Sequence, residues 1–185
     1  MVKSIPVIAA VLFLNLACTI GTDGDDGVPH DQTTVLGTLN LFVDAWNSGD
    51  METYKVLLDE DDFTFYFDPW GVAYGWLPEK WGYEEEIQAV TNLFDVVGAE
   101  NVDVELNLEG VAEPWEGADT YKVFYIPYAV HVHWGEEWGD ITYATGNIHS
   151  MEFTLTEEGW VISEWRDEGL PGSYECTWGM VKVLY

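Results

Sequence analysis

The sequence predicts an α+β fold, with helices packed on one face of a mainly antiparallel sheet. Two patterns along the chain carry this. Apolar residues recur at helical spacing up to about residue 97, and from residue 102 onward they alternate with polar ones. A third observation is composition. Thirty-four acidic residues face six basic ones, a formal net charge of −28, yet the chain is 48% hydrophobic and 15% aromatic with ten Trp. Disordered acidic chains lack such aromatic content, so this one folds. Its length of 185 residues suits one domain. A field this negative excludes nucleic-acid backbones and anionic membrane surfaces as electrostatic partners.

Each element has its own signal. Val35, Leu36, Leu39, Phe42, Val43 and Trp46 predict an amphipathic helix over 34–46, ended by Asn47-Ser48-Gly49. Asp50 is placed to cap a short second helix bearing Met51, Tyr54, Leu57 and Leu58. An acidic turn over 59–62 precedes a strand over 63–68 that stops at Pro69. Residues 70–82 read as a Gly- and Trp-rich loop. Glu84, Glu85 and Glu86 then open a helix whose stripe is Ile87, Val90, Leu93, Phe94 and Val97, closed by Gly98. Val102, Val104, Leu106 and Leu108 alternate with charged or amide residues, giving a strand with one wet face. Further strands are expected over 121–134, bulged at Pro127, over 141–155, and over 160–165 after the Glu157-Glu158-Gly159 turn.

The N-terminus stands apart. Residues 1–17 carry Lys3 and an apolar run from Ile5 to Leu14, the pattern of a secretory signal peptide too short to span a bilayer. Ala17-Cys18 resembles a bacterial lipoprotein signal, which implies a lipid on Cys18 and a chain held at the cell envelope; ordinary cleavage with release is the alternative. Residues 18–32 hold three Gly, four Asp and one Pro and read as a flexible acidic tether, which leaves 33–185 as the domain. Cys176 has no neighbouring cation and reads as structural, or as a partner for Cys18 if the signal is cut earlier.

The stretch DAWNSGDMETYKVLLDEDDFTFYFDPWG at 44–71 resembles the opening of the nuclear transport factor 2-like superfamily, which includes SnoaL-like cyclases and ketosteroid isomerases. GWVISEWRDEG at 159–169 resembles its last strand. The resemblance implies a cystatin-like cone, a curved sheet wrapped on helices with a pocket at the wide end. It does not fix an activity, because this fold hosts many unrelated chemistries.

Within that frame Asp68 is the sharpest catalytic candidate. Asp68-Pro69-Trp70-Gly71 matches the isomerases' Asp-Pro-x-Gly, in which the Asp shuttles a proton beside a carbonyl. The resemblance places Phe42 where those enzymes carry a Tyr hydroxyl, and His149 near their protonated Asp. At most one side-chain donor then serves an enolate, and one lost donor costs roughly 10²–10³ in rate. Alternation sets Asp68 opposite Phe63, Phe65 and Phe67, so the competing reading is an Asp that begins a turn. Alternation also puts Tyr143, Thr145, Asn147, His149, Met151, Phe153 and Leu155 on one face. Trp46, Tyr66, Trp70, Asn147 and Met151 are the expected pocket lining.

His131 and His133 have chelating spacing but alternate against Val130 and Val132, so they point to solvent and no metal site is expected. Trp70, Trp76, Trp81, Trp115, Trp134 and Trp138 fall in or beside loops, where exposed rings can stack on sugars or line an apolar mouth; core packing or a dimer surface is the competing reading. No cofactor motif is present. Three functions follow as expectations. The first is an exported domain that binds a small hydrophobic ligand or acts as an accessory module. The second is an isomerase or lyase using Asp68 with His149. The third is an interaction protein that dimerises through its sheet.

Overall fold

The structure is a computed structural model and describes residues 31–133, 141–170 and 176–184. The signal segment, Cys18, nearly all of the tether, Trp134 and Trp138 lie outside the described residues.

Helix α1 (Val35–Ser48) starts where the Thr34 hydroxyl accepts the Gly37 N–H and ends at Gly49, whose φ of +68° favours glycine. Asp50 caps α2 (Met51–Val56) by accepting the Thr53 N–H. Strand β1 (Thr64–Tyr66) is shorter than the 63–68 run, because Asp68 turns the chain into a one-turn helix, α3 (Pro69–Ala73). The expected loop over 70–82 thus contains α3 and strand β2 (Lys80–Gly82), whose short lengths leave no periodicity to detect. Helix α4 (Tyr83–Val97) opens on its three glutamates.

The remaining strands are β3 (Val102–Leu106), β4 (Thr120–His133), β5 (Ile141–Leu155) and β6 (Trp160–Gly169). They form one six-stranded sheet, in the order β2-β1-β6-β5-β4-β3. Only β1 against β6 is parallel. The apolar stripes of α1 and α4 (Leu39, Phe42, Trp46, Val90, Leu93) meet the inner face of the sheet (Phe65, Val130, Ile148, Phe153, Trp165) in a single core.

The long strands change face midway. In β5, Ala144, Gly146 and Ile148 are buried before the change, and Met151 and Phe153 after it. Pairing with β6 steps from Ile148↔Asp167 to Ser150↔Arg166, which leaves His149 as the extra residue of a β-bulge. Opposite it in β4, Tyr125 adopts a φ of +57°. The irregularity therefore sits at Tyr125 and His149 rather than at Pro127. One added residue inverts a period of two, so His149 and Met151 lie on opposite faces rather than on one.

A C-terminal helix, α5 (Trp178–Val183), was not foreseen. Thr177 caps it, its six residues are too few to show a period, and its Trp178 and Val181 join the core. The Trp178 ring lies 4.6 Å from that of Trp165 and 5.1 Å from that of Trp46 (centroid to centroid). Gly179 permits this approach, since a Cβ there would stand 2.8 Å from Phe67 Cδ1.

Candidate functional site

Asp68 is buried, and both of its carboxylate oxygens are engaged by backbone. Oδ2 accepts the Gly71 N–H at 3.0 Å as the α3 cap, and Oδ1 accepts the Gly169 N–H at 3.0 Å. The side chain thereby ties α3 to the end of β6, which is the turn-forming role weighed for it above. His149 projects from the outer face, where its Nδ1 lies 3.0 Å from Glu168 Oε2 and its ring packs edge-on against Tyr125. Asp68 and His149 thus serve opposite sides of the sheet and do not share a pocket.

The expected pocket lining is divided in the same way. Trp46 and Met151 are fully buried in the core. Tyr66 lies on the outer face beneath the Arg166 guanidinium, 3.7 Å from its ring centroid. Asn147 is half-buried on that outer face, paired in register with Glu168, and Trp70 stands in solvent. Alternation along β5 groups Asn147 with Met151, but the bulge sends them to opposite faces, and α3 carries Trp70 outward. His131 packs edge-on against Tyr143 on the outer face. No group of three metal-ligating side chains occurs among the described residues. The Cys176 thiol is pushed up to about 11 by burial and then by the nearby Asp167 carboxylate, in keeping with a structural role.

What fills the cone is an aromatic cluster with ionisable groups inside it. Phe42, Trp46, Tyr54, Phe65, Trp165 and Trp178 are all essentially without solvent contact. Among them Glu86 accepts the Tyr54 hydroxyl at 2.5 Å and the Trp81 indole N–H at 2.8 Å, and the Lys182 ammonium stands 2.6 Å from its Oε1. A second carboxylate, Asp167, accepts the Tyr128 hydroxyl at 2.7 Å and the Gly179 N–H at 2.8 Å, and the Tyr128 oxygen accepts the Trp178 N–H. Burial raises Asp167 above the usual carboxylate range in spite of these bonds. Burial, followed by the neighbouring carboxylate, raises both tyrosines well above theirs.

Among the described residues, aromatic side chains stand open on two surfaces. On α3 and the turn after it, Trp70, Tyr74 and Trp76 form a ladder. Successive ring centroids are 5.3 and 5.2 Å apart at interplanar angles of 25° and 22°, and each residue keeps roughly 60% of its surface in solvent. The outer face of the sheet carries an ion network: Glu164 takes a two-pronged contact from Arg166 (2.8 and 2.9 Å) and one from Lys122 at 2.9 Å. Hydrogen bonding from Arg166 is the chief cause that holds Glu164 down at about 2. Next to the network, Phe124 and Tyr125 are exposed, and Tyr143 is exposed farther along β5, opposite His131. A shallow groove of about 350 Å³ beside α2, lined by Lys55, Asp59, Tyr83 and Val161 among others, contains none of the predicted site residues.

The sequence marks Trp70 and Trp76 only as two of six tryptophans in or beside loops and gives no sign of the ladder, since the i+4 spacing of Tyr74 from Trp70 shows only once 69–73 is known to be helical. It missed the interior ion cluster entirely. The one available signal was a lysine set in the apolar run Trp178–Val183.

No family model and no curated protein matches this sequence. Solved structures do match it in fold. A candidate aromatic ring hydroxylase from Novosphingobium aromaticivorans is 19% identical, with 76% of this chain and 90% of that chain covered at a TM-score of 0.56. An uncharacterized protein with a cystatin-like fold from Caulobacter vibrioides is 11% identical, covering 75% and 88% at 0.53. A nuclear transport factor 2-like protein of unknown function in nutrient uptake from Rhodospirillum rubrum is 11% identical, covering 74% and 98% at 0.51. Element order, sheet topology and these matches agree: the chain has the nuclear transport factor 2-like, cystatin-like fold.

Proposed function

We propose that this protein is a non-catalytic recognition domain, exported and held at the cell envelope through Cys18 and its acidic tether. Its contact surface is the Trp70–Tyr74–Trp76 ladder, and its ligands are neutral saccharides. The observation that carries this reading is the contrast between a cone packed with aromatic rings and three aromatic rings left stacked in water. Exposed apolar clusters on a monomer mark contact sites more often than accidents. The Asp68 cap anchors α3 beneath the ladder, so the rings are pre-arranged and lose little freedom on binding.

The ligand class follows from charge and shape. Indole faces suit the C–H faces of pyranose rings, and the outer faces of Trp70 and Trp76 are the ones not covered by Tyr74. A net charge of −28 disfavours anionic or phosphorylated ligands. Isothermal titration with cellohexaose, laminarihexaose and chitohexaose tests the proposal. Saturable binding to one of them is expected, weakened at least about fivefold by Trp76→Ala and by Trp70→Ala, since a hot-spot truncation costs more than ~1 kcal/mol. Binding of none of the three, or binding that survives both substitutions, overturns it.

A second reading, self-association through the sheet, draws on Phe124, Tyr125 and Tyr143 exposed on the outer face. Sedimentation velocity of the wild type and Tyr125→Ser decides it. A dimer that dissociates in the variant supports this reading, and a monomeric wild type removes it.

A further inference from the structure

Among the described residues, Lys182 is the one cation that is fully buried. Removing an ammonium from water costs several kcal/mol unless the interior replaces its hydration. Here the replacement is specific. The Nζ atom lies 3.7 Å from the centroid of Trp165 and 3.8 Å from that of Phe65, with Trp178 at 6.0 Å, and its charge faces Glu86 at 2.6 Å. The contact with Glu86 is an ion pair with neither partner exposed. Aromatic faces closed by a carboxylate form the kind of box that binds organic ammonium ions.

Nearly all of this box belongs to elements other than the one that brings the lysine. Glu86 comes from α4, Phe65 from β1 and Trp165 from β6, and only Trp178 shares α5 with Lys182. Glu86 does not depend on Lys182 for its position, because Tyr54 and Trp81 hold both of its oxygens. Asp167 adds a second carboxylate that acts on the ammonium, and the indole N–H of Trp165 meets no acceptor among the described residues. The walls that α4, β1 and β6 supply are therefore polar and anionic without any contribution from α5. Burial pulls Lys182 down to about 8 even with Glu86 in contact, so the group is still mainly an ammonium at neutral pH.

We infer that the cone interior is a binding site for a primary alkylammonium group, occupied in this structure by the chain's own Lys182. The side chain acts as a ligand supplied in cis, and a soluble ammonium ligand and the Lys182 side chain exclude each other. This site is separate from the aromatic ladder and does not rest on the reading of it.

The test is to empty the site and refill it from solution. Lys182→Ala removes the equivalent of n-propylammonium. Thermal unfolding of this variant is followed in n-propylammonium chloride, in sodium chloride of equal ionic strength and in equimolar n-propanol. The inference expects the amine alone to raise Tm in a saturable way, by about 3–6 °C at roughly ten times its Kd, with no such rise in the wild type. An equal rise with n-propanol, an equal rise in the wild type, or no rise overturns it. If Lys182→Ala does not fold alone, the readout becomes recovery of folded protein on refolding from urea. Recovery in the amine but not in sodium chloride supports the inference, whereas equal recovery, or none, defeats it. Lys182→Ala with Glu86→Gln is expected to lose the preference for amine over propanol, and its persistence counts against the site.

Discussion

Asp68 shows how one residue type supports two readings until its hydrogen bonds are known. Its oxygens accept one N–H inside α3 and one from Gly169, 101 positions away, so its work is to join two segments. Asp68→Ala strands both donors. A lost cap is worth about 1 kcal/mol and a buried unpaired N–H about 1–3 kcal/mol, so urea unfolding should show a loss of about 2–4 kcal/mol. Asp68→Asn keeps one acceptor oxygen and should lose about half as much. Gly146 is constrained by space instead: a Cβ there would stand 2.6 Å from the Glu168 carbonyl and 2.6 Å from the Tyr128 hydroxyl. Backbone cannot yield to it, and displacement of Tyr128 would disturb its bonds to Asp167 and Trp178. Gly146→Ala is expected to cost about 2–3 kcal/mol by the same measurement.

At the scale of elements, α5 carries its aromatic residue into the core and α3 carries its own into solvent. Helix α5 inserts Trp178 and Lys182 among the core rings, so it is part of the fold's interior despite having six residues. Trp178→Ala should lower stability by about 3–5 kcal/mol, with loss of near-ultraviolet circular dichroism from the Trp46–Trp165–Trp178 cluster. Trp76→Ala removes a ring of similar size from the surface of the ladder. It should change stability by less than about 0.5 kcal/mol, which makes it a clean probe of binding. The bulge is the other decisive element. By adding His149 to β5 it lets one strand bury Ile148 and Met151 and still curve around the helices, at the cost of sending His149 out of the cone.

For the whole molecule, charge sets the response to solvent. Thirty-four acidic groups against six basic ones repel one another in the folded state, and added salt screens that repulsion. Raising sodium chloride from 0.05 to 0.5 M is expected to raise Tm by a few degrees, even though it weakens the ion network on the sheet. Acid acts through that network. Glu164 ionises at about 2 in the fold against 4.5 in its absence, so the unfolded chain takes up the proton first. Its contribution is complete above pH 4.5 and fades as the pH falls toward 2. The gap in stability between wild type and Glu164→Gln should therefore be constant from pH 7 to 5 and close between pH 4.5 and 2. Its size is on the order of 1–2 kcal/mol, given partial exposure.

Local signals determined much of this architecture in advance. The stripes of α1 and α4, the Asp50 cap, and the alternation of β3 to β6 all follow from residues within one element. Period and capping depend only on neighbours in sequence, and so the α+β order was legible. The site was not, because it is made by relations between distant segments. The bulge reverses the face of half a strand without any mark in its composition, the Gly169 partner fixes the role of Asp68, and a six-residue helix too short to show a period supplies the lysine that fills the cone. Whether the aromatic rings of this chain line a pocket, pack a core or stand in water was decided by the tertiary structure, since burial depends on what packs opposite a residue and sequence spacing does not encode that.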